Sequence, residues 1–262
     1  MNPCIKIFSL FPEIVDSVLN SSILRRAQAK GLIDLEAINI RDFAKDKHRI
    51  VDDTPYGGKQ GMLLKADVLD SAMAEQLALV EGDRSRLKIV FTSPRGLRFE
   101  QPVAEKFCDW LGEESTAAPK ILCIVCGRYE GVDERFIDQW VDVELSLGDF
   151  ILSGGEIAAL AFADAVVRLI PGVLGHQSSA REDSFSNGLL EYPQYTRPVS
   201  LNEQGVPEEL KGGNHKLIHQ WQTRQSLLLT SAFRPDLIKK HTGENLEPWA
   251  QDLLSLLKTK VK

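Results

Sequence analysis

Short apolar runs alternate with amphipathic stretches along this chain. Residues 4–10 ("CIKIFSL"), 87–93 ("LKIVFTS") and 120–127 ("KILCIVCG") are apolar at most positions, the pattern of strands buried on both faces. Residues 32–40 ("LIDLEAINI") alternate more and predict a half-buried strand. Helical patterns lie between them. One opens at Phe11-Pro12-Glu13, with proline near the first turn, and runs through "IVDSVLNSSILRRAQAKG" with Gly31 as its stop. "DVLDSAMAEQLALVEG" and "EQPVAEKFCDWLG" predict two more helices. Strands alternating with helices predict an α/β fold, a mostly parallel sheet with helices on both faces. In such sheets ligands sit beyond the carboxyl ends of the strands.

The pattern changes after residue 175. "HQSSAREDSFSNG" is polar and has no helical period, and "YPQYTRP" (192–198) reads as extended because of its two prolines. "HKLIHQWQTRQSLLLTSAF" and "ENLEPWAQDLLSLLKTK" then read as amphipathic helices. The expected organisation is an α/β domain over 1–175, a flexible linker over 176–190 and a small helical domain over 191–262.

With 262 residues, 43% hydrophobic and 26% charged, the chain can bury a sizeable core, which excludes global disorder. No apolar run approaches the roughly 18–20 residues of a membrane span. The first residues lack the charged and apolar regions of a signal peptide. Both observations point to a cytoplasmic protein with no membrane partner. The net charge of −6 argues against a general nucleic-acid coat. The charge is uneven, however. Residues 205–262 hold nine Lys and Arg against six Asp and Glu, a local +3, which leaves −9 on the rest. That asymmetry suits a catalytic body with a nucleic-acid-facing appendage, and equally a helical tail with a solvated face.

Cys123-Ile-Val-Cys126 has the spacing of a zinc or redox pair, but no second pair exists to complete four ligands. Strand residues three apart also face opposite sides. The two cysteines are therefore expected to be small core residues, and no metal site is expected.

The candidate chemistry lies in glycine loops at strand ends. Ser93-Pro94-Arg95-Gly96 and Gly127-Arg128-Tyr129-Glu130-Gly131 follow apolar strands directly. Gly148-Asp149 follows "WVDVELSL", and Gly154-Gly155 lie just beyond. Glycines there let backbone groups approach a flat ligand closely. Their spacing is not that of a phosphate loop, and Glu156 stands where such a loop wants lysine. Acidic Glu130, Asp149 and Glu156 would suit a cationic, adenine-bearing ligand such as a sulfonium. Glu156 equally suits its own helix N-terminus. The helix after Gly155 is apolar nearly all round, which predicts burial in a core or against a second subunit. Only Asp164 and Arg168 interrupt it, four residues apart. A guanidinium in so apolar a helix needs a partner or an anionic ligand. In "REDSF" (181–185), a carboxylate on a polar loop is either a general base that closes over substrate or part of a solvated charge cluster.

Taken together, "CGRYEGVDER" (126–135), "SLGDFILSGGE" (146–156), "LIPGVLG" (169–175), "EDSF" (182–185), "YPQYTRP" (192–198) and "GNHKLIHQW" (213–221) resemble the bacterial tRNA (guanine-N1)-methyltransferases. "SLFPEI" near the start and "DKHRIVDDTPYGG" (46–58) extend the resemblance over nearly the whole chain. It implies the SPOUT class, whose fold contains a deep trefoil knot. It also implies a homodimer with active sites shared between subunits, and methylation of N1 of the guanosine immediately 3′ of the tRNA anticodon by S-adenosylmethionine. The residues implied to bind the methyl donor are Ser93, Pro94, Gly96, Gly127, Tyr129, Glu130, Leu147, Gly148, Asp149, Phe150, Ile151, Leu152, Gly154 and Gly155. Asp183 is implied as general base and Arg168 as the group that stabilises charge on O6. The family is associated with magnesium, for which the sequence shows no dedicated site. Lys211, Lys216, Arg224, Arg234 and His215 become candidate tRNA phosphate contacts. One segment departs from the family pattern: Tyr56-Gly57-Gly58-Lys59-Gln60-Gly61-Met62 replaces Tyr-Gly-Gly-Gly-Pro-Gly-Met, and Lys65 stands where an apolar residue is common. Residues 112–119 ("GEESTAAP") read as an extra surface loop. The competing readings are a knotted ribose methyltransferase acting on ribosomal RNA and a nucleotide-binding module without catalysis.

Overall fold

A computed structural model describes residues 2–58, 60–113, 119–175 and 183–261. The chain divides into two compact units, 1–175 and 176–262.

The first unit holds a five-stranded sheet. Its strands are β1 (Cys4–Ser9), β2 (Asp34–Asn39), β5 (Leu87–Arg98), β6 (Ile121–Cys126) and β7 (Val143–Ser146). Their order is β2-β1-β6-β5-β7 and every pairing is parallel. A separate antiparallel pair, β3 (Asp52–Asp53) and β4 (Leu63–Leu64), lies beside it in sequence. The apolar runs read as strands are these central strands: β1 and β6 are buried at every position, as a sheet covered on both faces requires. Ile5, Ile7, Leu122, Ile124 and Leu145 pack on one side with helices α1 (Pro12–Leu19), α2 (Ser22–Ala29), α4 (Gln101–Gly112) and α6 (Glu156–Val167). Phe8, Ile89, Phe91, Ile121 and Val125 pack on the other with α3 (Ala66–Leu79) and α5 (Glu134–Trp140). Cys123 belongs to the second layer and Cys126 to the first, so the two thiols point away from each other. Burial pushes both thiols well above their ordinary pKa, which keeps them protonated and inert.

Two local expectations are corrected. The single helix expected from residue 12 to 30 is two helices, broken at Asn20-Ser21. The cause is a run of side chains that compete for the backbone: Asn20 Nδ2 donates to the Asp16 carbonyl at 3.0 Å and Ser21 Oγ to the Ser17 carbonyl at 2.6 Å. The strand expected to end at Ser93 continues to Arg98, with residues 93–96 looped out of its pairing. Thr92 and Leu97 both sit opposite Leu145 of β7.

The second unit is mostly helical: α7 (Glu208–Lys211), α8 (His215–Phe233), α9 (Pro235–Lys240) and α10 (Pro248–Lys260). A small hairpin, β8 (Ser200–Leu201) with β9 (Gln204–Gly205), was not legible in the sequence. Its core is Leu189, Leu227, Ile238, Ala250, Leu254 and Leu257. The segment expected as a linker lies outside the described residues from 176 to 182, Arg181 and Glu182 included. From Asp183 it is a run of turns that anchors in this core through Leu189, only 2% exposed. Lys59 and residues 114–118 also lie outside the described residues. No described helix is long and apolar enough to cross a membrane.

Candidate functional site

Strands β6, β5 and β7 are neighbours and run parallel, so their carboxyl ends share one edge of the sheet. The 127–131 and 147–155 loops leave β6 and β7 at that edge, and residues 93–96 loop out of β5 there. Hydrogen bonds tie the loops together. Gly155 N–H donates to the Gly127 carbonyl at 2.8 Å. Gly127 N–H donates to Thr92 Oγ1 at 3.3 Å, and that hydroxyl donates to the Val125 carbonyl. Gly155 is required by contact: a Cβ there would overlap Thr92 Oγ1 and stand 2.8 Å from the Gly127 nitrogen. Gly96 is packed as closely, against the backbone of Glu144 and Leu145. The rim is apolar and open. Tyr129 is 50% exposed, Phe150 55% and Ile151 80%, and Asp149 is exposed beside them. Leu147 and Leu152 are half-buried. Such a rim offers flat apolar surface beside backbone polar groups.

The electrostatics overturn the reading of Glu156 as a ligand-facing carboxylate and leave it in the first turn of its own helix. Its carboxylate does not face the rim. It is 2% exposed and forms a two-bond pair with Arg128, Nε to Oε1 at 3.1 Å and Nη2 to Oε2 at 3.0 Å. Ser9 Oγ, at the end of β1, donates to the same carboxylate at 2.6 Å. Arg128 also donates to the Ser153 carbonyl at 3.1 Å and stacks over the Phe11 ring at 4.4 Å. One ion pair therefore clamps the 127–131 loop to the 147–155 loop and to β1. No sequence signal named Arg128, because its partner lies 28 residues away. A second anchor holds the looped-out stretch: Arg95 Nε is 2.9 Å from both oxygens of Glu144, and Nη2 is 2.6 Å from Glu134. Glu130 is placed by its N–H bond to the Met62 carbonyl at 3.0 Å, and its side chain packs against Gly61. Lys65, the other departure in that segment, reaches Asp67 at 3.6 Å.

Arg168 ends α6 and is half-buried, with its N–H on the Asp164 carbonyl at 3.0 Å. The helix is less enclosed than its composition suggests. Ile157, Ala161 and Asp164 form an exposed stripe along an otherwise buried surface. On α1, Ile14 and Val18 are likewise about 40% exposed, at 41% and 39%.

Asp183 belongs to the second unit. There it lines a cavity of about 470 Å3 with Glu191, Tyr192, Tyr195 and Gln222. The Tyr192 and Tyr195 rings stand 6.4 and 6.1 Å from Trp221, an aromatic cluster that sequence reading missed because Trp221 is on α8. Another cavity, of about 730 Å3, lies in the first unit between residues 53–56 and α5 and contains none of the strand-end loop residues. Among the described residues, no group of three or more His, Cys, Asp or Glu is arranged to hold a metal ion.

A parallel sheet with glycine loops clamped together beyond adjacent strand ends defines an α/β protein, in whose class ligands sit at that edge. Residues 4–240 match the family described as tRNA (Guanine-1)-methyltransferase TrmD. The chain belongs to this family. Similar proteins named tRNA (guanine-N(1)-)-methyltransferase occur in Geobacter sulfurreducens (48% identical, covering 89% of this chain and 90% of the relative) and Geotalea uraniireducens (50%, covering 88% and 89%). The Staphylococcus epidermidis relative of the same name is 42% identical and covers 97% of both chains.

Proposed function

We propose that this protein transfers the methyl group of S-adenosylmethionine to N1 of the guanosine immediately 3′ of the tRNA anticodon. Family membership over residues 4–240 is the observation that carries the reading. The donor would be held by Ser93, Pro94 and Gly96, by Gly127, Tyr129 and Glu130, and by Leu147, Gly148, Asp149, Phe150, Ile151, Leu152, Gly154 and Gly155. The loops suit such a ligand: Gly96 and Gly155 leave no room for a side chain against the neighbouring backbone, and Tyr129, Phe150 and Ile151 offer apolar surface for an adenine. Bound there, S-adenosylmethionine supplies an electrophilic methyl group on a sulfonium.

The protein must make N1 of guanine nucleophilic. N1 carries a proton in neutral guanine. Asp183 accepts that proton, and Arg168, always charged, stabilises the negative charge that develops on O6. A carboxylate is a weak base at neutral pH, so neither residue suffices alone. The basic helical unit supplies the tRNA grip through Lys211, Lys216, Arg224, Arg234 and His215. The family fold brings with it the trefoil knot, and with it a homodimer whose sites are shared between subunits. Exposed Ile157 and Ala161 on α6, and Ile14 and Val18 on α1, support a second copy as partner. The cytoplasm, where tRNA is processed, is the proposed location. Among the described residues, no group of three or more His, Cys, Asp or Glu offers a dedicated site for magnesium.

The test is transfer of labelled methyl from S-adenosylmethionine to tRNA carrying either G or A immediately after the anticodon. Label is expected in the G form alone. Labelling of the A form, or of neither, would overturn the reading.

A further inference from the structure

The turn that carries Asp183 is held by a residue 58 positions further along the chain. Residues 183–189 form a tight coil: Ser186 N–H donates to the Asp183 carbonyl at 3.3 Å, Gly188 N–H to Phe185 O at 3.0 Å, and Phe185 N–H to Leu189 O at 2.7 Å. Phe185 and Gly188 both adopt positive φ, 77° and 79°. A single non-glycine residue in that region is disfavoured unless its surroundings enforce it. The enforcement comes from the rest of the unit. Leu189 is in the core, Glu191 N–H donates to Ser184 Oγ at 2.9 Å, and Leu190 N–H donates to Thr230 Oγ1 at 2.8 Å. These ties hold the C-terminal side of the coil. At its tip, His241 Nε2 lies 3.0 Å from the Asn187 carbonyl, and the ring packs where a Cβ on Gly188 would come within 3.3 Å of it.

We infer that His241 is a positioning residue for Asp183: its ring pins the 183–189 coil to the end of α9, so that the carboxylate is presented in one orientation. This rests on the reading of Asp183 as the general base. The hydrogen bonds assign the tautomer. Only Nε2–H can donate to the Asn187 carbonyl, and Nδ1 must be bare to accept the Gly243 N–H at 3.0 Å. The ring is therefore neutral. Burial, helped by the Lys258 ammonium, holds its pKa below the ordinary value of 6.5 against the opposing pull of the Asn187 carbonyl. The residue's own backbone is fixed as well. Its N–H bonds to Leu237 O at 2.9 Å, and its carbonyl accepts from Lys258 Nζ of α10 at 2.6 Å. A ring held this firmly transmits the position of the C-terminal helices to Asn187, four residues from Asp183.

Two variants separate the ends of the ring. In His241→Gln the amide nitrogen reaches the place of Nε2 and can still donate to Asn187. In His241→Asn the amide oxygen reaches the place of Nδ1 and can still accept from Gly243, but nothing reaches Asn187. His241→Asn is expected to lower kcat roughly tenfold or more, since small misplacement of a reacting group has effects of that size. Its KM values for tRNA and for S-adenosylmethionine should stay at wild-type levels. His241→Gln should restore most of the rate. A wild-type kcat in His241→Asn would overturn the inference. So would equal losses in both variants, or a loss of tRNA affinity in step with kcat, because each marks a merely structural role. Asp183→Asn is assayed alongside. If it turns over normally, the reading of Asp183 fails; if it is inactive while His241→Asn is normal, only the role of His241 fails.

Discussion

Arg128→Met will destabilise the first unit by about 3–5 kcal/mol, and Glu156→Gln by about 1–3 kcal/mol. The asymmetry follows from burial. The Glu156 side chain is 3% exposed and that of Arg128 is 19%. Without Arg128, a carboxylate remains under the loops with the Ser9 hydroxyl and its own helix terminus as its main support, and it must either keep a buried charge or take up a proton. Without the charge on Glu156, Arg128 still has the Ser153 carbonyl, the Phe11 ring and some contact with water. The double variant should lose less than the sum of the two, because its second change removes a charge the first has stranded. Both single variants should also bind S-adenosylmethionine more weakly, since the pair ties the 127–131 loop to the 147–155 loop. Denaturant unfolding and calorimetric donor titration read the two effects. Equal losses from the two single variants would show that the pair is not the clamp described.

Asp183→Ala should lower turnover by about 10²–10⁴, the range for removal of a general base. Donor binding should stay nearly intact, because the donor loops and Asp183 belong to different compact units. The comparison needs kcat from single-turnover assays and a donor dissociation constant from titration. Loss of donor binding in this variant would make Asp183 a structural residue and leave proton removal without a candidate.

The central strands were plain in the sequence because a sheet covered on both faces has almost no polar positions, as in β1 and β6. The opposed faces of Cys123 and Cys126 followed from strand geometry alone. The break at Asn20-Ser21 was hidden because the apolar period continues across it; only the side-chain bonds to the backbone reveal it. The partners of Glu156 were hidden for a different reason. Its neighbours in sequence are the glycines of the loop, whereas its partners in space are Arg128 and Ser9, from two other strand ends. His241 was equally invisible, because its bond to Asn187 spans 54 residues. Local chemistry and periodicity were legible; pairings across the chain, which clamp the loops and moor the Asp183 turn, were not.

The expected reaction moves one methyl group to N1 of one guanosine. The direct measurement is nucleoside analysis by mass spectrometry and chromatography of tRNA after reaction with S-adenosylmethionine. The expected product is 1-methylguanosine, formed immediately 3′ of the anticodon and absent when Asp183 is replaced by alanine. A 2′-O-methylated nucleoside, or a guanosine methylated on another ring atom, would contradict the assignment of Asp183 and Arg168.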